Sequence, residues 1–499
     1  MKKISIAILA LVGMSRMGIA QSHEDVLRYS RSNYQGSVRS MGLAGAWGAV
    51  GADVSSASIN PAGLGLYRRN EVMASLGVNP FSASTTYGGS EQNSFRMGLN
   101  IPNFGVVLSQ VNQYKGKPAS SGLVNYNFAF GLNRLSDYQQ NIRFEGQNRN
   151  STVADYLARA AGGNDSSGFW NSDYDNTLSV LAWRLALIDN FNGKENYASA
   201  QKLQGDTNYF MNQFQEMKLR GRMQEWYVSG AMNFSNTLYL GASIVFQDVN
   251  YTSTITYKEN LTSSTVKDNY YVGSSINQYL NTKGSGAGAK LGVIFRPLDF
   301  IRVGATWHTP VLLRLTDFYR NSMSVTYTDG KTYSEPLENR EDYFEYTIRT
   351  PGRYSLSACA TILQNAVVSL DYEQTDFSKG EIRAEGYSFA PENSRMRTLY
   401  GTATTIRGGV EIKAENLRFR AGYAHLGSPY KENYISKEDG NRQLFSAGFG
   451  WIQDQDYFFD LGVNYVKGKD LYSPYDGAGQ NATISFNRLM IAVGAGVRF

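Results

Sequence analysis

Apolar and polar residues alternate along most of this chain with a period of two. The last segment is the clearest, since one of its faces carries Leu489, Ile491, Val493, Ala495, Val497 and Phe499. Such alternation is typical of a β-strand with one apolar and one polar face. Segments of this kind begin near residues 71, 93, 122, 222, 236, 282, 299, 341, 364, 402, 416, 441, 456 and 486. The pattern predicts an all-β fold.

The connections between these segments differ in length in a regular way. Short ones lie at Phe234–Thr237, Arg296–Asp299, Leu363–Asn365, Lys413–Asn416 and Ile452–Asp456. Long polar ones lie at 148–222, 259–281, 319–340, 379–401, 429–440 and 469–485. Short periplasmic turns and long outer loops are the rule for transmembrane barrels, although the connections at 88–92 and 112–121 depart from it. We therefore expect a transmembrane antiparallel β-barrel of about 14 strands over residues 71–499.

The loop at 148–222 carries apolar residues at helical spacing. They are Val153, Tyr156, Leu157 and Ala160, followed by Leu178, Leu181, Ala182, Leu185 and Ile188. This spacing predicts helical segments in a long extracellular loop. Two interpretations stay open: a loop that packs its own small core, and an apolar groove at the cell surface where a hydrophobic substrate first lands.

The first residues have the features of a secretory leader. Lys2 and Lys3 precede the apolar run 4–13, and small residues stand at Gly18 and Ala20. The run is shorter than the roughly 20 residues of a membrane-spanning helix, so it predicts a signal peptide over residues 1–20. In the whole chain 13% of residues are aromatic while the mean hydropathy is −0.36. That balance suits a wall with one apolar and one polar face.

Composition argues against several classes of function. The net charge of +5 is spread along the chain without a basic block, so no nucleic-acid partner is expected. The single cysteine, Cys359, is predicted to be a small strand hydrophobe. Only His23, His308 and His425 are present, without a second His or Cys at ligand spacing, so we expect no metal and no other cofactor. No serine has a sequence reason to neighbour an activating base, which argues against an enzyme.

Residues 21–70 stand apart from the alternating segments. Small residues dominate the stretch from Gly36 to Gly65, which ends on Asn60-Pro61-Ala62-Gly63. Glycine lets backbones approach closely, and no preceding strand supports a dinucleotide-binding fingerprint. Asn60 can cap a short helix that begins at Pro61. Since an open barrel of this size would leave an aqueous lumen, we expect residues 21–70 to form a hatch inside it. The predicted hatch and gating residues are Gly36, Gly42, Gly45, Asp53, Asn60, Pro61, Ala62 and Gly63.

This stretch resembles the N-terminal hatch of the FadL/OmpP1/TodX outer-membrane channels. Their small-residue run ends on a pattern that is matched here by Asp53, Ser55, Asn60, Pro61, Ala62, Gly63 and Leu64. The terminal Phe499 is similar to the C-terminal signature of bacterial outer-membrane barrels, whereas the region around Trp47 follows the family only loosely. The resemblance implies a channel for hydrophobic compounds, such as long-chain fatty acids, in the outer membrane of a Gram-negative bacterium.

Charged residues occupy the polar positions of several predicted strands. A charge that faces lipid costs about 2–4 kcal/mol at the midplane, so these side chains are expected to face the lumen and to pair there. A basic cluster can also bind a carboxylate headgroup. The candidate lumen charges are Arg302, Arg407, Arg418, Arg420 and Asp460.

Pro102 and Asn103 are the candidate gap in the wall. Proline removes a donor from the ladder, and such a gap would let a hydrophobic ligand leave sideways into lipid. A proline that merely ends a strand at a turn explains the same residues. The complete hypothesis is passive uptake of a hydrophobic small molecule by a monomer whose other partners are outer-membrane lipid or detergent. The alternatives are a surface receptor or adhesin, or a haem-binding protein, built on the same barrel.

Overall fold

One antiparallel sheet closes on itself to form the barrel. The computed structural model describes residues 23–499 apart from 32–34, 164–177, 192, 194–195, 207–208, 265–270, 337–341 and 432–438. The predicted leader lies outside the described residues. The first strand pairs antiparallel with the last, and two backbone hydrogen bonds between Asn70 and Phe499, of 3.0 and 3.1 Å, continue that pairing to the end of the chain.

Strands and helices are numbered in chain order. The helices are α1 His23–Ser30, α2 Val38–Met41, α3 Ser56–Ile59, α4 Val153–Ala161, α5 Leu178–Arg184, α6 Ala200–Leu203 and α7 Ala390–Leu399, with 3₁₀ turns at Pro61–Leu66 and Phe377–Lys379. The strands are β1 Glu71–Tyr87, β2 Ser90–Asn100, β3 Asn103–Val111, β4 Gln113–Tyr114, β5 Lys117–Pro118, β6 Leu123–Asp137, β7 Gln140–Asn148, β8 Ile188–Asn190, β9 Tyr197–Ser199, β10 Phe210–Phe234, β11 Leu238–Ser263, β12 Tyr271–Leu298, β13 Ile301–His308, β14 Leu312–Tyr327, β15 Thr332–Pro336, β16 Asp342–Arg349, β17 Arg353–Ile362, β18 Ala366–Asp376, β19 Glu381–Arg383, β20 Thr402–Ala414, β21 Leu417–Leu426, β22 Arg442–Gln453, β23 Tyr457–Tyr472 and β24 Ala482–Arg498.

Fourteen strands build the wall, and the predicted strand number and barrel form are confirmed. Four of these wall strands consist of two pieces each: β2 with β3, β6 with β7, β13 with β14 and β16 with β17. The pairing shows this, because β10 is hydrogen-bonded to both β6 and β7 and β12 to both β13 and β14. The small pairs β4–β5 and β8–β9 lie outside the barrel sheet.

Most turns at the end that the sequence predicts to be periplasmic are tight, whereas the connection between β3 and β6 spans residues 112–122. We call the opposite end of the barrel the extracellular end. Ser235 and Asn236 join β10 to β11 with φ of 55° and 57°, and Leu363 and Gln364 join β17 to β18 with φ of 48° and 60°. Two consecutive residues with positive φ match the right-handed twist of the flanking strands. These turns fall on connections that the sequence predicts to be short.

The wall strands extend far beyond the apolar band. On β11 the outward side chains Leu240, Ile244 and Phe246 are exposed, and the next outward positions are Asp248 and Asn250. Lipid therefore meets only the first part of this strand. The sequence places loops at 148–222 and 259–281, whereas β10 already begins at residue 210 and β11 continues to residue 263. Above the lipid the outward face becomes polar, so the alternation fades while the ladder continues.

The extracellular helices pack their own core. Val153 and Leu157 of α4 and Leu181 of α5 are buried against Met211 and Tyr257 of the extended strands. The described residues of this loop thus show the packing interpretation, and they turn the apolar faces away from the surface. None of the helices in the described part of the chain is long and apolar enough to cross a bilayer.

Candidate transport site inside the barrel

The segment before β1 descends through the lumen from the extracellular end to the periplasmic end. Tyr29 of α1 packs edge-on against Tyr138 and Tyr251, at ring distances of 6.4 and 6.3 Å, above the lipid-facing part of the wall. At the other end, Asn125 near the start of β6 donates from Nδ2 to the carbonyl oxygens of Gly65 and Tyr67, over 3.1 and 2.9 Å. We call residues 35–67 the plug.

Side-chain caps order the plug locally, since its helices are too short to be stable alone. Ser37 Oγ accepts from the backbone N–H of Ser40 at the start of α2, over 3.1 Å. Asp53 Oδ1 accepts from the N–H of Ser55 over 2.8 Å. Asn60 Oδ1 accepts from the N–H of Ala62 over 3.1 Å, and Pro61 is the first residue of the 3₁₀ turn. The bonds of Ser37 and Asn60 cap N–H groups that a short helix leaves open, and the bond of Asp53 orders the turn that leads into α3.

Glycines of the wall provide the space in which the plug lies. A Cβ on Gly241 would lie 2.3 Å from the carbonyl carbon of Pro61, and one on Gly292 would lie 1.9 Å from Asn60 Oδ1. Real Cβ atoms do not come this close, so any larger residue would displace the plug. A Cβ would also lie 2.5–2.9 Å from plug atoms at Gly304, Gly409, Gly422 and Gly462, and 3.1–3.2 Å from them at Gly448 and Gly494.

Polar groups of the wall hold the backbone of the plug. Asp371 Oδ2 accepts from the N–H groups of both Trp47 and Gly48, each over 2.9 Å. Arg302 donates from Nη1 to the carbonyl oxygen of Val50 over 2.8 Å. From the plug side, Asn60 Nδ2 donates to the wall at the carbonyl oxygen of Val293 over 3.3 Å, and within the plug to that of Gly48 over 2.7 Å. Buried backbone groups need such partners, so these contacts fix the position of the plug.

A buried charge network joins the plug to the wall near the periplasmic end. Glu411 accepts from Arg39 of the plug, with an Nη2–Oε1 distance of 2.8 Å, and from Arg420 Nε, over 2.6 Å. Arg420 also pairs with Asp460 over 2.5 Å. Arg418 donates instead to the carbonyl oxygens of Glu415 and Leu417 and lines a polar cavity of ≈ 160 Å³ together with Arg39 and Asp460.

Above the plug lies a second cavity of ≈ 140 Å³. Tyr29 of α1 and Ser58 and Ile59 of the plug line it. Its apolar wall residues are Leu135, Met223, Val311, Leu426, Leu444, Val466 and Met490, and its charged residues are Glu225, Lys290, Arg353, Asp371, Glu373, Arg407 and Arg488. Both Nη atoms of Arg407 lie 3.2 Å from Glu373 Oε2. Apolar walls beside a few convergent polar groups suit a small molecule with an apolar body and a polar end.

The family model of the outer membrane transport proteins (OMPP1/FadL/TodX) matches residues 218–495. The chain belongs to this family. The fold also matches the crystal structure of a Pseudomonas aeruginosa FadL homologue, with a TM-score of 0.53 and 13% identity over 93% of this chain and 98% of that chain. The Pseudomonas putida toluene transporter TodX aligns with a TM-score of 0.47 and 13% identity over 94% of this chain and 96% of that chain. No curated protein matches this chain by sequence.

Membership of the OMPP1/FadL/TodX family makes a hydrophobic-compound channel the general function. The family consists of outer-membrane transport proteins, so membership itself argues against an enzyme. His308 fits that view, because its half-buried ring lies 3.0 Å from the carbonyl oxygen of Ile59 and serves the contact between wall and plug.

In the wall of this OMPP1/FadL/TodX protein, one pair of neighbouring strands lacks a ladder among the described residues. Toward the periplasmic end, β3 and β6 form a hydrogen-bonded ladder that ends at the pair Asn103 and Asn133. Toward the extracellular end, β2 and β7 lie side by side and are joined by side-chain hydrogen bonds. Ser94 Oγ donates to the carbonyl oxygen of Asn141 over 2.7 Å, and Asn141 Nδ2 donates to the carbonyl oxygen of Phe95 over 3.1 Å. We call this contact between β2 and β7 the seam.

Pro102 and Asn103, the sequence candidates for a wall gap, lie at the lower end of the seam. Pro102 stands in the break between β2 and β3, and its carbonyl oxygen accepts from the N–H of Arg134 over 2.8 Å. Asn103 begins β3, and its Oδ1 accepts from Ser75 Oγ over 2.7 Å. Leu135, which follows Arg134, lines the upper cavity. The break between β2 and β3 therefore lies between the upper cavity and the lipid, at the point where the ladder between β3 and β6 ends.

The structure brings together residues that the sequence leaves unconnected. Gln35 of the plug donates its N–H to the carbonyl oxygen of Arg134 over 3.0 Å and accepts from Asn100 Nδ2 over 2.6 Å, which links the plug to both sides of the seam. Sequence reasoning missed Gln35 and Asn100, and nothing in their local pattern marks them. It also missed the wall glycines, although their recurrence at lumen-facing strand positions was a usable signal.

Proposed function

We propose that this chain is a passive channel for long-chain fatty acids and similar hydrophobic compounds. The ligand enters from the extracellular side, binds in the cavity above the plug, and leaves through the seam into the lipid when the plug shifts. The protein acts as a monomer in the outer membrane of a Gram-negative bacterium and needs no energy source other than the concentration difference.

The cavity above the plug is the observation that carries this proposal. Apolar side chains from β6, β10 and β21 to β24 line one part of it, and Lys290, Arg353 and Arg407 from β12, β17 and β20 line another. An apolar chain would occupy the first region, while a carboxylate would compete with Glu373 for Arg407. Binding of such a headgroup would weaken an existing ion pair, which links ligand binding to the charges around the plug.

The position of Leu135 supports the sideways route. Leu135 lines the cavity, its neighbour Arg134 is bonded to both Gln35 and Pro102, and the unladdered seam begins there. A ladder of backbone hydrogen bonds would have to break along its whole length before a ligand passed. Side-chain bonds such as that of Ser94 break singly, so the seam is the weakest part of the described wall.

A disulfide across the seam tests the route. A Cβ on Gly98 would lie 3.2 Å from the Cβ of Gln139, close to the spacing that a disulfide needs. Gly98→Cys with Gln139→Cys, in a Cys359→Ser background, is expected to lower fatty-acid uptake at least about tenfold when oxidised, and reduction should restore it. The matched control, Thr256→Cys with Asn277→Cys, joins two laddered strands whose side chains touch at 2.9 Å.

Two outcomes separate the parts of the proposal. Unchanged uptake with the seam disulfide fully formed would reject the lateral route. The substrate class is tested by mass spectrometry of lipids that copurify with the detergent-extracted protein. A fatty acid at stoichiometric amount is expected, and an empty protein that also fails to bind added oleate would reject that substrate class.

A further inference from the structure

A row of cations crosses the outer wall just above the lipid-facing band. Lys283 of β12, Arg314 of β14 and Arg349 of β16 are all exposed and share the outward face with Leu312, whose side chain is 54% exposed. The register places Ser285 opposite Arg314 and Leu312 opposite Arg349, so each cation lies diagonally across from the next. Diagonal neighbours on paired strands are about 7–8 Å apart.

The row continues toward β10 at the same height. Arg222 of β10 pairs with Asn250 of β11, which pairs with Lys283. Among the described residues no ion pair includes Arg222, Lys283, Arg314 or Arg349. The outward acidic residues in this part of the wall are Asp248, Glu345 and Glu381, and they are fewer than the cations. Glu381 lies opposite Arg349 in the register but pairs with Arg383 at 2.8 Å. Basic side chains without partners therefore dominate this surface, which we call the basic row.

An aromatic group lies directly above the basic row on the same strands. Tyr279 of β12, Phe318 of β14 and Tyr343 of β16 follow one another, with ring distances of 6.0 and 5.5 Å. Arg320 lies over Tyr279 and Phe318, at 5.3 and 5.4 Å from the ring centres. These three rings form one cluster on the outer face of the wall. Beside a membrane they offer flat faces and a phenolic hydroxyl to a headgroup layer.

We propose that the basic row and the aromatic group bind the phosphorylated sugar headgroup of an outer-leaflet glycolipid. The continuity with the lipid-facing band sets the height, because the phosphorylated sugars of such a lipid lie at the boundary of its acyl chains. Arg314 and Arg349 offer guanidinium forks to phosphate oxygens, and Lys283 adds a third charge. The rings of Tyr279 and Tyr343 then face the sugar. This binding surface is on the outside of the wall and is separate from the transport route.

Binding of diphosphoryl lipid A to the full-length protein tests the proposal. Native mass spectrometry of the protein in detergent, titrated with diphosphoryl lipid A, is expected to show a bound glycolipid. Lys283→Gln, Arg314→Gln and Arg349→Gln together should weaken this binding at least about tenfold, since each cation near an anionic lipid surface contributes separately. Wild-type protein should show a comparable loss when both phosphates are removed from the lipid.

A matched triple variant supplies the control. Lys115→Gln, Lys117→Gln and Lys413→Gln remove the same charge from exposed positions at the periplasmic end, and binding should stay at the wild-type level. Equal binding by wild-type protein and the basic-row variant, or an equal loss in the periplasmic control, would overturn the proposal. Heat-modifiable migration in gel electrophoresis checks that each barrel is folded. Because fatty-acid uptake is not the readout, failure of the transport proposal leaves this test unaffected.

Discussion

At the level of single residues, the absence of a side chain at Gly241 decides whether the plug fits into the lumen. A Cβ there would meet backbone atoms of Pro61 and Ala62 at 2.3 Å, and a backbone cannot rotate away as a side chain can. We expect Gly241→Ala to displace the plug, at an overpacking cost of about 1–3 kcal/mol, while strand pairing survives. The measurement is thiol labelling of Ser58→Cys in a Cys359→Ser background, which should become faster.

Gly230→Ala is the control for that experiment. Gly230 is in the neighbouring strand β10, and the nearest atoms to a Cβ there belong to the Phe128 ring at 3.8 Å, so the plug is not touched. Labelling should match the parent protein. If Gly241→Ala also labelled at the parental rate, the wall glycines would be incidental to the seating of the plug.

Residues that act through their neighbours in the sequence were predictable, and residues that act across the lumen were not. The Asn-Pro pair at 60 and 61 predicts a cap and a helical turn, and both are present. Strand parity places Arg420 and Asp460 on the same side of the wall, and they are paired. The bond between Asn100 and Gln35 joins residues that are distant in the chain, and no local pattern encodes it.

At the level of elements, the start of helix α4 depends on a buried carboxyl group in the extracellular extension of β11. Glu259 lies far beyond Phe246, the last exposed lipid-facing aromatic of that strand, and its Oε1 accepts from the N–H of Val153 over 2.9 Å and from Tyr257 OH over 2.6 Å. Burial raises the pKa of Glu259 from 4.5 to about 7, against the hydrogen bonds that lower it. The folded state thus favours the protonated carboxyl.

The anchoring of α4 is therefore expected to weaken as the pH rises. Because its pKa is raised, Glu259 contributes to the stability of the folded state fully below pH 4.5. This contribution is lost as the pH approaches about 7, a change on the order of 3 kcal/mol. Hydrogen-exchange protection factors of the α4 amides should be lower at pH 8 than at pH 5. Glu259→Gln should remove this difference, whereas Glu91→Gln, an exposed control, should keep it. A pH-independent protection factor in the wild type would contradict the assignment.

The sequence predicts the strands only where they face lipid, because only there does the environment require apolar residues to alternate with polar ones. Within the apolar band every second residue of a wall strand must be apolar, so the strand number was recoverable. Above the band, the outward positions of β11 are Asp248, Asn250 and Thr252, and inward positions such as Tyr251 and Glu259 are mixed. No alternation remains there, although the hydrogen-bonded ladder does, which is why the extracellular parts of β10, β11 and β12 were predicted as loops.

At the level of the whole molecule, wall and plug have separate sources of stability. The wall closes through backbone ladders that include the pairing of β1 with β24, and none of these bonds involves the plug. The plug depends on the wall, because its backbone N–H groups and its Arg39 find their partners in wall groups such as Asp371 and Glu411. Removing the plug should leave a folded barrel, whereas an isolated plug should not fold.

Deletion of residues 23–67, which contain α1 and the plug, tests this division. A barrel of fourteen strands without its plug encloses an aqueous lumen, so reconstitution into planar bilayers should give a steady ionic conductance that the full-length protein lacks. Glu411 and Asp371 would then face water, which removes the cost of leaving them buried without Arg39 and the plug backbone. Heat-modifiable migration confirms folding before conductance is measured. A folded deletion protein that stays closed would show that the wall side chains alone seal the lumen, and the assignment of the plug as the gate would be wrong.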